Sequence, residues 1–248
     1  MLLVHRVEPE SFGAQMAGLH ALGFHAIPLD LYVRFMRGER VRLPSRPVLL
    51  TFDDAYVSAL VDADPVLARY GWSAALYVPT GAVGRPGHLT WAQLEQMQAS
   101  GRWQIDEHAG NGHHLVQTNA AGRRAPFYAD ELWTNRGRES FAHYRRRVGG
   151  DIELGARLLA AHLRRATETF AVPFGNYGQW GTNDPRIEPW LSRFLARRFA
   201  VVFVQGDTFT TPGQRFADRI AVPSRWTAQT LESRLRRGLD ALTMRTRG

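Results

Sequence analysis

Short apolar runs alternate with longer amphipathic segments along the chain. The runs are Leu2–Val7, Pro47–Phe52, Ala74–Val78, Trp103–His108, Thr169–Phe174, Phe199–Val204 and Arg219–Val222. Several are apolar at nearly every position, which suits parallel strands covered on both faces. The segments between them carry helical spacing. Ile152, Ala156, Leu159 and Leu163 recur at steps of three and four, which predicts a helix over 151–165. Thr90-Trp91-Ala92-Gln93 reads as a capping box opening a helix that ends near Ser100. Another helix is expected from Thr227 to near Leu242. Strands interleaved with helices predict an α/β fold of one domain over 1–248, a (β/α)7 barrel closed or nearly so. The long, arginine-rich stretch at about 117–150 fits no strand–helix unit. It reads as an insertion, a partly helical lid or side element.

In such a barrel the active residues sit where strands end. Polar residues suited to chemistry do gather there. His5 follows Leu2–Val4, Asp53-Asp54 follow Val48–Phe52, Glu107-His108 follow Trp103–Ile105, and Pro173-Phe174-Gly175-Asn176 follow Phe170–Val172.

Composition narrows the chemistry. The 248 residues contain no cysteine, which excludes thiol nucleophiles, disulfides and zinc–thiolate sites. They also contain no lysine, so Schiff-base chemistry and a Walker lysine are excluded. The net charge of +8 comes from scattered arginines. Their short clusters lie in helix-like segments and read as solvated faces, so no nucleic-acid partner is expected. No apolar stretch is long enough for a membrane span, and the run at Met1–Val4 is too short for a signal peptide. The compartment stays open, the cell envelope or exterior included if the chain is part of a longer one.

Thr51-Phe52-Asp53-Asp54 ends a buried strand in two adjacent carboxylates, which is costly unless both find partners. One Asp can hold a metal while its neighbour takes a proton from water; the plainer reading is a helix N-cap. His108-Ala109-Gly110-Asn111-Gly112-His113-His114 places imidazoles on a glycine-bearing loop after a strand. An Asp and two His make three protein ligands with a position left open. Imidazole and carboxylate without thiolate suit Zn²⁺, with Co²⁺, Ni²⁺ or Fe²⁺ as alternatives. His113 and His114 compete for the second imidazole.

At these residues the chain resembles the polysaccharide deacetylase family (carbohydrate esterase family 4). The family's T-F-D-D motif, its spaced histidine pair and its P-F-G turn appear in order as Thr51–Asp54, His108/His113 and Pro173-Phe174-Gly175. The opening Leu3-Val4-His5-Arg6-Val7-Glu8-Pro9-Glu10-Ser11-Phe12 is similar to the permuted subgroup that contains biofilm poly-N-acetylglucosamine deacetylases. The resemblance implies a distorted (β/α)7 barrel and a metal-dependent hydrolase that removes N-acetyl groups from an amino-sugar glycan. It implies Asp53 as general base, with Asp54, His108 and His113 as metal ligands. It also implies a backbone N–H of Phe174 at the oxyanion, with Pro173, Asn176 and Tyr177 lining the sugar cleft. Two family features are missing. The arginine that precedes the third-motif proline by two residues is Ala171, and no histidine follows His162. In the permuted subgroup the equivalent of the last strand comes first, so His5 takes the acid's role. Alternatives are a hydrolase of a small amide, cyclic imide or formylated sugar on the same scaffold, and a glycan-binding module without turnover.

Overall fold

The computed structural model describes residues 1–206, 208 and 211–245, with side chains up to 237. All seven apolar runs form strands of one parallel barrel. They are β1 (Leu2–Val4), β2 (Leu50–Asp53), β3 (Ala74–Pro79), β4 (Trp103–Ala109), β5 (Thr169–Ala171), β6 (Val201–Gln205) and β7 (Phe216–Ala221). Chain order is also spatial order, and the barrel closes on itself. The closing strand is β1, which pairs Leu2 with Leu50 on one side and with Ile220 on the other. This is the expected (β/α)7 barrel.

Seven α-helices accompany the strands: α1 (Pro9–Ala21), α2 (Leu29–Met36), α3 (Asp64–Tyr70), α4 (Trp91–Ala99), α5 (Phe141–Leu163), α6 (Ile187–Arg198) and α7 (Ala228–Arg245). No helix among the described residues is long and apolar enough to cross a membrane. The capping box is formed as expected. Thr90 Oγ1 accepts from Gln93 N at 3.3 Å, and Gln93 Oε1 accepts from Thr90 N at 2.9 Å.

Strand alternation divides the barrel into an outer and an inner core. Outward-facing Phe52 meets Phe12 of α1 and Trp103 at ring-centroid distances of 5.8 and 5.0 Å. Inward-facing Ala75, Tyr77 and Phe203 share a cluster with Leu29, Tyr32, Val33 and Met36 of α2. Helix α2 therefore plugs the mouth at the strands' N-terminal ends and leaves the other mouth for chemistry.

The region around 117–150 differs in part from the expectation. It holds two small antiparallel hairpins, Leu115–Gln117 with Arg124–Pro126 and Trp133–Thr134 with Gly137–Arg138. Helix α5 starts at Phe141, ten residues before Asp151. Gly149-Gly150 reads as a helix breaker, yet Tyr144, Val148 and Ile152 continue the buried stripe on both sides of it. The segment is a fastened side element. Arg147 of α5 donates to the carbonyls of Phe127 and Asp130 at 2.8 and 3.0 Å and pairs with Glu139.

Candidate active site

The chain makes sharp turns where the chemistry-bearing residues leave the strands. Asp54 and Ala55, just after β2, have φ of 72° and 55°. Phe174, beyond β5, has φ of 59°. Non-glycine residues adopt this region only when surrounding structure holds them there, and such positions concentrate at functional sites. The turn after β2 points the two neighbouring carboxylates in different directions.

Asp54 faces the histidine loop. Its Oδ1 lies 3.5 Å from His108 Nε2 and 3.4 Å from His113 Nε2. The three donor groups lie within 4.8 Å of one another. Asp54 Oδ1 is buried and has no hydrogen-bond partner. Four tetrahedral donors about 2 Å from a zinc ion lie roughly 3.3 Å apart, close to the two separations found here. An orphaned carboxylate oxygen facing two imidazole nitrogens at that spacing fits a divalent cation. His108 is aimed by its other nitrogen, since Nδ1 donates to the Ala171 carbonyl at 2.6 Å. Nε2 is then the nitrogen that faces Asp54, the usual arrangement of a metal-binding histidine; burial works against a charge on this ring, but Asp53 and Asp54 outweigh it and raise its pKa. His113 stacks on Phe174 with ring planes 1° apart at 4.7 Å. His114 turns away, with Nδ1 on the Asn111 carbonyl at 2.9 Å. The structure thus brings together Asp54, His108 and His113, and leaves His114 outside.

Electrostatics match this geometry. Burial pushes Asp54 up, but the facing imidazoles, His108 first and then His113, outweigh it and hold the carboxyl at about 2. Burial, reinforced by His108, lowers His113 to about 4, which keeps its imidazole neutral. His5 is exposed at the end of β1, on the same mouth of the barrel.

Asp53 points inward to a partner that sequence reasoning missed. Arg219 of β7 is fully buried and grips Asp53 with both guanidinium ends, at 2.7 and 2.8 Å. Its guanidinium carbon lies 5.5 and 5.7 Å from the ring centres of Tyr77 and Phe203, which pack on each other at 5.4 Å, and it also reaches Thr51 Oγ1 at 3.3 Å. Burial raises Asp53, but Arg219 and then His108 outweigh it and hold the carboxyl below the usual range. The arginine missing at position 171 is therefore replaced from another strand. The clue in the sequence was the arginine that heads the apolar Ile220–Val222 run.

Asp151 is the second residue that the sequence did not reveal. Its carboxylate accepts from the backbone N–H of Gly110, Asn111 and Gly112 at 3.1, 2.6 and 3.1 Å, and from the Tyr128 hydroxyl at 2.6 Å. Those three amides belong to the loop between His108 and His113. A Cβ on Gly112 would come within 2.7 Å of both Asp151 Oδ2 and the Phe127 ring, so the glycine lets the loop sit on the carboxylate. Asp151→Asn would turn an amide donor toward donors. We expect metal affinity to fall about 10–100-fold with the far-ultraviolet spectrum unchanged, as when a supporting partner of a ligand is lost. Titration calorimetry with Zn²⁺ and Co²⁺ checks this; unchanged affinity would show that the loop holds itself.

Beside the cluster opens a cavity of about 180 Å³, lined by Asp54, Tyr56, Pro79, Arg85, His88 and Asn111 among others. Tyr56 and His88 stack at 5.0 Å, and Arg6 lies 5.0 Å above the Tyr56 ring. Pro173, Asn176 and Tyr177 do not line this cavity. Pro173 is buried, Asn176 Oδ1 caps the turn at Gly178 N, and Tyr177 packs on Phe216. A larger cavity of about 690 Å³ lies by Pro28, Trp103 and Arg165, at the barrel's opposite end and away from these groups.

Known proteins share both sequence and fold with this chain. Poly-β-1,6-N-acetyl-D-glucosamine N-deacetylase of Escherichia coli strain K12 is 28% identical over 187 residues, covering 68% of this chain and 28% of that protein. The protein of the same name from Staphylococcus aureus strain MRSA252 is 25% identical over 178 residues, covering 69% and 54%. The chain thus spans less than two thirds of either relative. Among solved structures, a de-N-acetylase from Aggregatibacter actinomycetemcomitans has a TM-score of 0.81 at 19% identity, covering 94% of this chain and 98% of that one. IcaB from Ammonifex degensii has a TM-score of 0.71 at 24% identity, covering 94% and 95%. Both are likenesses of fold. Residues 40–181 match the polysaccharide deacetylase family, and that span contains Asp53, Asp54, both clustered histidines and the Phe174 turn, so the chain belongs to this family.

Proposed function

We propose that the chain is a metal-dependent hydrolase that removes acetyl groups from a β-1,6-linked N-acetylglucosamine polymer. The observation that carries the reading is the division of labour between two adjacent aspartates. Asp54 faces two imidazole nitrogens, while Asp53 is held apart and ionised by Arg219. Asp54, His108 and His113 hold the cation, and their donor set suits Zn²⁺, Co²⁺ or Ni²⁺. The cation supplies Lewis acidity to the acyl oxygen and acidifies water at the site. Asp53 takes the proton from the attacking water. The Phe174 N–H donates to the oxygen of the tetrahedral carbon. His5, at the end of the strand that closes the barrel, protonates the departing amine. The linkage and sugar follow the names of the bacterial relatives.

Acetate release from a β-1,6-linked N-acetylglucosamine hexasaccharide tests the reading. Release is expected with Zn²⁺ or Co²⁺, abolished by chelation and restored by either metal. His5→Ala should retain metal and lose turnover. Release that survives complete chelation would remove the metal from the scheme, and no release under any metal would remove the deacetylase reading.

A further inference from the structure

Four large apolar side chains are classed as exposed among the described residues: Val61, Leu115, Trp133 and Trp180, at 55, 41, 36 and 61%. Three of the four lie on the two loops that leave the candidate active site. Leu115 is two residues beyond His113, and its strand adjoins the Trp133–Thr134 strand. Trp180 is six residues beyond Phe174, whose ring stacks on His113. Asn183 ties these loops together. Its amide group bonds the Glu131 backbone at 2.8 Å on both N–H and carbonyl, and its own N–H donates to Asp130 at 2.5 Å. The two indoles flank this knot, two residues from Glu131 and three from Asn183. At no more than about 3.8 Å per residue, Trp180 lies within roughly 23 Å of Phe174.

Trp180 has most of its surface in water, which is costly unless something covers it, and exposed apolar groups gathered on loops beside a site mark a binding surface. We propose that Leu115, Trp133 and Trp180 form an outer platform on which the apolar faces of pyranose rings stack, several sugars from the reacting one. The inference rests on the deacetylase reading and deepens it. It makes the substrate a chain of sugars, because a small amide held in the 180 Å³ cavity would touch none of the three. The platform's loops are pinned by Asn183, and the segment that carries Trp133 is fastened to α5 through Arg147.

The test uses β-1,6-linked N-acetylglucosamine oligosaccharides from two to six sugars, the intact chain, and the Trp133→Ala/Trp180→Ala variant. In the native protein kcat/KM should rise with length. In the variant the rise should flatten, with KM for the hexasaccharide up about tenfold or more, kcat unchanged and the disaccharide unaffected; a stacked aromatic contributes about 2- to 10-fold. Indole fluorescence of the metal-free protein should shift with hexasaccharide and stay still with monosaccharide. Length dependence that persists in the variant would overturn the platform. A fluorescence response to protein concentration, with sedimentation as a dimer, would also overturn it by assigning the patch to a second copy. If hexasaccharide shifts the fluorescence but no acetate is released, the platform stands and the deacetylase reading falls.

Discussion

Asp53→Asn is expected to bind metal as the native protein does and to lose about 10²–10⁴ in turnover, the usual worth of a positioned acid–base group. Asp54→Asn is expected to lose the metal itself. The two residues are neighbours in sequence and alike in chemistry, so the contrast tests geometry. Asp54 Oδ1 is an unpartnered buried oxygen 3.4 and 3.5 Å from two imidazole nitrogens. An amide can offer its neutral oxygen there but lacks the charge that favours a divalent cation. Asp53 has both oxygens on Arg219, and its nearest approach to the histidine cluster is 3.9 Å, to His108. Removing its charge takes away the proton acceptor and leaves the three donors in place. Metal content by atomic emission and acetate release measure the two effects separately. Equal metal loss in both variants would mean that the roles are misassigned.

The barrel was legible in the sequence because its strands are buried on both faces, so each announces itself as a local apolar run. The candidate metal set was legible because Asp54, His108 and His113 leave strand ends within short polar loops. What stayed hidden acts over long separations. Arg219 meets Asp53 across 166 positions, and an arginine at the head of an apolar run hints at burial without saying which carboxylate it meets. The position expected to carry that arginine, Ala171, instead contributes its carbonyl to His108. Asp151 stands at the start of the helix that the spacing of Ile152, Ala156, Leu159 and Leu163 predicts. It is instead in the middle of α5, bonded to a loop 39–41 residues away. The residues alone leave His113 and His114 in competition and only the family's spacing favours His113, because a one-residue difference on a glycine loop is decided by where the ring finds a partner. Phe174 holds the His113 ring, and Asn111 with Phe127 holds His114.

Arg219→Met should cost about 3–5 kcal/mol of stability, the penalty for stranding one member of a buried ion pair. Met is long enough to keep packing against Tyr77 and Phe203, so little of the loss comes from an empty space. The stranded group is the Asp53 carboxylate. Without a counter-charge, burial favours its neutral form, and a neutral Asp53 cannot accept a proton. Turnover should therefore fall toward the Asp53→Asn level while metal binding persists. Arg219 is fully buried, so a direct contact with a glycan cannot explain such a loss. Arg219→Lys should recover part of the activity, because the charge returns without the two-pronged geometry. Asp53→Asn strands the arginine instead and should also destabilise. The double variant Asp53→Asn/Arg219→Met removes both charges, and an interior without either is far less costly than one with a single charge. Its loss in denaturant unfolding should fall short of the sum of the single losses by about 2 kcal/mol or more, the coupling expected of side chains in one contact. Single effects that add to within about 0.5 kcal/mol would show that Arg219 stabilises the barrel by packing and that Asp53 does not depend on it.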